Sequence, residues 1–286
     1  MVRTLQSLSP RDCESFARDG FLIVEDLLSL SQVSAVKDAF LDMVRTYGAD
    51  RELSEIREDG DGRTEIRKRN DPFFFQLEKG LEPALDDPEE MELQVRKFMS
   101  MEKEASVFTE IVGPESRMQA IVRSLIQEDP LLYQSMALIK PPKIGSTKPW
   151  HQDNAYFTVK PLESICGVWI AIDGATTQNG CMHMLRGQHK AGAFRHEHKR
   201  DCEINVRKLD LSTLTPVPLK PGGALFFSGM IPHETPPNRS NHRRRALQFH
   251  FRGRSSEILP GPDYDTVFHD LEGYPASCEA IRRTGA

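Results

Sequence analysis

The chain is poor in the features that would fix it in a membrane or staple it covalently. It has no apolar run long enough to cross a bilayer, and the opening MVRTLQSLSPRDCESFARDG lacks the continuous apolar core and small-residue cleavage site of a secretory leader. Its five cysteines, Cys13, Cys166, Cys181, Cys202 and Cys278, are odd in number and scattered. No Cys-x-x-Cys pair suggests a zinc ribbon or a dithiol redox motif, so a reducing, cytoplasmic location is expected. Charge of neither sign dominates: 37 Lys and Arg stand against 42 Asp and Glu, a net charge of -5. The balance gives no general pull toward nucleic acid or anionic membranes, and an anionic ligand must be met by local basic residues. No repeat, low-complexity stretch or Pro/Ser-rich linker divides the sequence, so residues 1–286 read as one domain with room for a sizeable core.

The N-terminal part is patterned for helices. Ser9-Pro10 is a cap followed by a first-turn proline, Gly20 is a stop, and Phe21-Leu22-Ile23-Val24 is a short strand. Ser31 to Tyr47 carries Val33, Val36, Phe40, Met43 and Val44 at helical spacing, and Glu115 to Gln127 reads as another helix ended by Asp129-Pro130. Residues 49–70 are charged, with Gly60-Asp61-Gly62 at their centre, and read as a loop or mobile insertion. The following Phe73-Phe74-Phe75 is expected to be a core or edge-strand segment, with a substrate-facing wall as the lesser alternative. Beyond Pro130 short β-rich runs take over: Met136–Ile139, Ile165–Ile172, Ala224–Phe227 and Leu247–Phe251. The expected fold is α+β, with N-terminal helices packed on a jelly-roll (double-stranded β-helix) core.

Chemistry-bearing residues gather in this second part. In Trp150-His151-Gln152-Asp153, alternation along a strand would put His151 and Asp153 on one face. Such a pair is common by chance. Its weight rises with Pro232-His233, which follows the apolar run Gly222 to Gly229 and puts a histidine at a strand exit. Two neutral imidazoles and one carboxylate leave coordination positions open, the arrangement of non-haem Fe(II) oxygenases. Zinc favours closed sets rich in Cys or three His, and magnesium favours carboxylates and waters. Farther on, Arg243-Arg244-Arg245 opens a strand, where alternation sends either Arg244 or its two flankers inward, and a buried guanidinium needs an anion. A dicarboxylate would supply one, because an arginine fork matches a carboxylate bidentately.

Taken in order, these pieces resemble the phytanoyl-CoA dioxygenase family of Fe(II)- and 2-oxoglutarate-dependent oxygenases. The resemblance runs from Arg18-Asp19-Gly20-Phe21-Leu22-Ile23-Val24 through Trp150-His151-Gln152-Asp153 and Gly167-Val168-Trp169-Ile170-Ala171. It continues through Asn179-Gly180-Cys181-Met182 and Gly187-Gln188-His189 to His233, Asn238, Ser240, Arg244 and Arg245-Ala246-Leu247. It implies that His151, Asp153 and His233 bind Fe(2+) and that Arg244 holds the C5 carboxylate of 2-oxoglutarate. Trp169 would lie beside that co-substrate, and Lys97 and Met136 would border the same pocket. Ascorbate is implied as an accessory stimulant. The implied reaction consumes O2 and 2-oxoglutarate, releases succinate and CO2, and hydroxylates a C–H bond of a small metabolite or acyl-type substrate. Asp153, where related halogenases carry a small residue, disfavours chlorination.

Three alternatives stand beside this reading. The same centre could desaturate or cyclise, because outcome follows substrate placement. A jelly-roll protein could bind 2-oxoglutarate without turnover, although the presence of all three ligand types and the arginine argues against it. His196-Glu197-His198-Lys199-Arg200 could hold a second metal, but a solvated loop is expected there, with Lys190, Arg195 and Arg207 available to an anionic substrate. His183 and His189 read as structural or as supports behind the ligands, not as ligands themselves, and His250 as a satisfied core histidine.

Overall fold

The computed structural model describes residues 8–199 and 201–284. Arg200 and the first seven residues of the stretch examined for a leader lie outside the described residues.

Local rules set the first elements. The Ser9 hydroxyl accepts from the Asp12 amide while the Asp12 carboxylate accepts from the Ser9 amide, and Pro10 occupies the first turn of helix Pro10–Asp19. Gly20 ends that helix at a left-handed φ of 83°, a conformation glycine adopts without strain. The chain then enters strand Phe21–Val24, which pairs antiparallel with Ala224–Ser228. A second Ser capping box at Ser29 starts helix Leu30–Gly48, and Val33, Val36, Phe40, Met43 and Val44 are all buried, as their spacing requires.

Two sheets form the jelly roll. The larger has nine strands in the spatial order Phe21–Val24, Ala224–Ser228, Cys166–Ala171, Arg244–Gly253, Pro130–Lys140, Val95–Met99, Phe74–Leu77, Thr64–Lys68 and Ser54–Glu58. The smaller runs Leu214–Val217, Met182–Leu185, His233–Thr235 and Lys148–His151. Alternation sorts each strand of the large sheet between two cores. Val168, Ile170, Phe226, Leu247, Phe249 and Phe251 pack under the N-terminal helices. Trp169, Leu225, Phe227 and Ala246 point the other way, toward Met182, Met184 and Val217 of the small sheet. The space between the sheets is thus lined by every second residue of the central strands. The expected α+β jelly roll is the observed fold.

Two expectations need correction. Residues 49–70 are not a mobile loop: Ser54–Glu58 and Thr64–Lys68 form a hairpin that extends the large sheet. Opposite charges face one another in register, Glu55 with Arg67 and Arg57 with Glu65, while Ile66 is buried opposite Ile56. Cross-strand charge pairing of this kind supports a sheet that composition alone marks as loop. The Asp59 carboxylate closes the turn by accepting from the amides of Asp61 and Arg63. The triple phenylalanine divides as a strand must, with Phe73 and Phe75 in the helix-side core and Phe74 on the opposite face beneath Arg67 and Lys97.

The second correction concerns the cysteines. Cys202 and Cys278 form a disulfide across 76 residues, with a Cα–Cα separation of 5.7 Å. It joins the hairpin His196–His198/Cys202–Ile204 to the C-terminal helix Cys278–Thr284. Nothing in the cysteine spacing could announce a contact made only when that helix packs on the hairpin. Among the described residues no helix is long and apolar enough to cross a membrane.

Candidate metal and co-substrate site

His151 ends its short strand and His233 begins the neighbouring one. The two are cross-strand partners, with ring centroids 4.2 Å apart. Trp150 points to the other side, into a cluster with Leu185 and Ile204. Asp153 is not on the strand as alternation suggested. The strand stops at His151, and a single 3-10 turn, Asp153–Ala155, swings the carboxylate back. That turn is tied down by the Asn154 amide on the Gly229 carbonyl at 3.1 Å and by the Tyr264 hydroxyl on the Asn154 carbonyl at 2.8 Å. Position 229 admits only glycine, since a Cβ there would come within 2.0 Å of Asn154 Oδ1.

The donor atoms of His151, Asp153 and His233 lie within 4.8 Å of one another, and all three residues are buried. Asp153 Oδ1 is 3.5 Å from His151 Nε2 and 3.6 Å from His233 Nε2. Each imidazole has its Nδ1 against a carbonyl two residues back, Pro149 O at 2.7 Å and Ile231 O at 3.0 Å. Carbonyls only accept, so Nδ1 carries the hydrogen and the Nε2 lone pair faces inward. Burial, reinforced by His151 alongside, pushes the His233 pKa down to about 3. Burial opposes ionisation of Asp153, but the surrounding imidazoles, His250 foremost at 2.8 Å from Oδ2, outweigh it, and its carboxyl is held well below the ordinary range. Two imidazole lone pairs and a carboxylate oxygen therefore converge where water is scarce. A divalent cation relieves that repulsion, and the donor set fits one with open positions.

The segment between the ligands is braced by residues whose roles the sequence did not disclose. Gln152 is fully buried, donates to Met230 O at 2.6 Å and Gly192 O at 2.9 Å, and accepts from the Phe194 amide at 2.8 Å. Its own amide donates to His196 Nε2 at 3.0 Å. The expectation of a solvated loop at His196 is overturned: the ring is buried and its Nδ1 lies 2.8 Å from Phe194 O. Burial, with His151 nearby, pushes its pKa down to about 3, the neutral form that can donate at Nδ1 and accept at Nε2. His198, two residues on, is exposed. His250 lies 2.8 Å from Asp153 Oδ2, so it touches the site instead of standing as an inert core residue. On its strand His250 shares a face with Arg244, Ala246 and Gln248. His183 pairs with Glu234 and His189 sits against Ala17, and neither is part of the ligand cluster.

Of the three arginines, alternation turns Arg244 inward and leaves its flankers to acids outside. Arg243 is bound to Glu92, and Arg245 to Asp173 at 2.8 Å. Arg244 is 1% exposed and, among the described residues, has no carboxylate paired with it. One guanidinium nitrogen donates to Leu138 O at 2.9 Å, Nε is buried without a partner, and the cross-strand neighbour is Lys140, whose amine pKa is pushed down to about 6 by burial and by Arg244. Burial brings the Arg244 pKa down to about 10. The guanidinium carbon sits 5.3 Å from the Trp169 ring, whose indole nitrogen is also buried and unpartnered. Lys97 and Met136 line the same face of the large sheet, Lys97 opposite Leu138 and Met136 opposite Gln248. Lys97 lies 5.3 Å over Phe74, and burial lowers its pKa. The rim beside His151 is polar: Tyr156 stands edge-on to its ring at 5.9 Å, and Lys148 joins the Tyr156 hydroxyl at 2.7 Å to Asp201 at 2.6 Å.

A sequence profile of the phytanoyl-CoA dioxygenase (PhyH) family matches residues 16–246, which include the triad and Arg244. The chain belongs to the phytanoyl-CoA dioxygenase family. That family consists of Fe(II)- and 2-oxoglutarate-dependent oxygenases, as the sequence resemblance implied. Among its relatives, the phytanoyl-CoA dioxygenase domain-containing protein 1 of Bos taurus is 27% identical over 274 residues, 88% of this chain and 92% of the relative. The phytanoyl-CoA dioxygenase of Arabidopsis thaliana is 25% identical, covering 85% and 88%. Two crystal structures share the architecture. EvdO2 from Micromonospora carbonacea var. aurantiaca, complexed with 2-oxoglutarate, aligns with a TM-score of 0.59 at 25% identity over 89% of this chain and 94% of that one. EctD from S. alaskensis with bound Fe aligns with a TM-score of 0.64 at 17% identity over 88% and 79%, a likeness of fold.

Proposed function

We propose that the protein hydroxylates an unactivated C–H bond of a small metabolite or acyl-type substrate, using Fe(II), 2-oxoglutarate and O2 and releasing succinate and CO2. The observation that carries the reading is the pairing of a buried two-His, one-Asp cluster with a buried arginine that has no counter-ion among the described residues. A metal site of that composition alone would suit several chemistries. Together with an unpaired guanidinium on the same inner face, it suits a metal-chelating dicarboxylate.

In this reading His151, Asp153 and His233 hold Fe(II), and Arg244 receives the C5 carboxylate of 2-oxoglutarate. Trp169 stacks beside it with its N–H available, and Lys97 and Met136 border the pocket. When bound, the metal supplies the redox chemistry that couples 2-oxoglutarate decarboxylation to C–H oxidation. The protein orients and shields. The carbonyls of Pro149 and Ile231 keep both Nε2 lone pairs turned inward, and Gln152 and His196 fix the turn that carries Asp153. Phe227, 5.0 Å from the His233 ring, helps keep water from the centre. Ascorbate would serve to keep the metal reduced.

The reading is tested by incubating the protein with Fe(II), ascorbate, 2-oxoglutarate and a broad panel of metabolites and acyl thioesters, following succinate and product mass. Substrate-dependent succinate with a product one oxygen heavier is expected. Loss of two hydrogens without added oxygen would replace hydroxylation by desaturation or ring closure. Absence of succinate under every condition would leave a 2-oxoglutarate-binding protein.

A further inference from the structure

We infer that His250 is the positioning residue of the candidate metal centre, holding the Asp153 carboxylate so that a single oxygen faces the metal. The inference rests on the triad assignment proposed above. The two carboxylate oxygens of Asp153 have distinct surroundings. Oδ1 is the atom that faces His151 Nε2 and His233 Nε2, at 3.5 and 3.6 Å. Oδ2 is turned away from them and lies 2.8 Å from His250 Nε2.

An ionised carboxylate only accepts, so His250 Nε2 carries the shared hydrogen. Its Nδ1 is buried and unpartnered, so Nε2 makes the ring's polar contacts. The Gln248 side-chain amide is placed with its nitrogen 3.1 Å from the same Nε2; exchanging the amide's oxygen and nitrogen, which only such contacts tell apart, makes it a second acceptor for that hydrogen. The ring has little freedom. It is 1% exposed, edge-on to Phe157 at 4.8 Å and to Phe227 at 6.5 Å, and Phe227 also flanks His233.

The chemical consequence is a matter of coordination number. A carboxylate free to rotate can bind a metal through both oxygens and fill a position that substrates need. With Oδ2 held by His250, Asp153 contributes one oxygen, and the vacancies persist. Supporting hydrogen bonds to metal ligands typically change metal affinity 10–100-fold when removed.

Co(II) serves as the probe, titrated into metal-free protein and followed by its visible absorption. His250→Gln offers an amide N–H near the place of Nε2, whereas His250→Leu keeps bulk and removes the donor. Circular dichroism and thermal melts of the metal-free variants confirm folding before titration. We expect His250→Leu to bind Co(II) 10–100-fold more weakly. Its band intensity should also change as the coordination number rises, and His250→Gln should recover both properties. Wild-type affinity and spectrum in folded His250→Leu would overturn the inference, and so would equal losses in both variants, which would mark the ring as packing only. Failure of the unsubstituted protein to bind Co(II) is a separate result and would sink the triad assignment itself.

Discussion

Replacing Arg244 by methionine should separate stability from co-substrate binding. The guanidinium is fully buried without a carboxylate, and its pKa falls from 12.5 to about 10 because burial penalises the charged form. A base whose folded pKa is depressed carries a penalty at every pH below the folded value, and the penalty vanishes above the unfolded one. Near neutral pH it is therefore present in full, at roughly 3 kcal/mol. Methionine removes it and gives up one hydrogen bond to Leu138 O, about 1 kcal/mol, together with some stacking on Trp169. The metal-free variant should melt no lower than the parent and up to a few degrees higher, at roughly 2 °C per kcal/mol for a chain of this size. Binding moves the other way. Loss of a two-pronged charge-assisted contact costs about 3–4 kcal/mol, or roughly 10²–10³ in the Kd for 2-oxoglutarate. Calorimetry of 2-oxoglutarate on Co(II)-loaded protein, beside melts of the metal-free forms, measures both. An unchanged Kd would move the anchor elsewhere, and a melt many degrees lower would show that Arg244 already had a structural partner.

Other perturbations follow from the same geometry. His151→Ala and Asp153→Ala should abolish iron-dependent succinate formation while circular dichroism stays native, since neither side chain belongs to the apolar clusters of the core; activity in either variant refutes the ligand set. The neutral His196 contributes stability that is present above its unfolded pKa of 6.5 and lost as pH falls toward its folded value of about 3. Denaturant titrations across that window should therefore show stability rising with pH, and His196→Gln should flatten the slope by up to about 1.4 kcal/mol per pH unit; an unaltered slope would mean His196 is protonated in the fold. Reducing Cys202–Cys278 releases a closure spanning 76 residues, worth about 4 kcal/mol on the chain-entropy account. The melting temperature should fall with dithiothreitol and stay put in Cys202→Ser; equal melts with and without reductant would show that the pair contributes nothing.

The parts of this protein that the sequence disclosed are those governed by local periodicity. The Ser9 cap and the Gly20 stop marked the first helix, the spacing of Val33 to Val44 marked a buried helix face, and alternation around Arg244 foretold that one arginine of three would differ from its neighbours. The triad was legible because its residues sit in ordered motifs. What stayed hidden depends on distant contacts or on elements too short to carry a period. The strands Met182–Leu185 and His233–Thr235 have four and three residues. Charged side chains masked the hairpin Ser54–Glu58/Thr64–Lys68, whose support comes from cross-strand pairing. His196 meets Gln152 across 44 positions and His250 meets Asp153 across 97, so neither contact has a sequence signature.

The central claim is that the buried triad and Arg244 together make a 2-oxoglutarate-consuming iron centre. Succinate formed from 2-oxoglutarate, with oxygen uptake measured in the same vessel, tests it most directly. Succinate formation and O2 consumption should require added Fe(II), stop on chelation, resume on adding iron back, and be absent in Asp153→Ala. Succinate formed equally by chelator-treated protein or by that variant would contradict it.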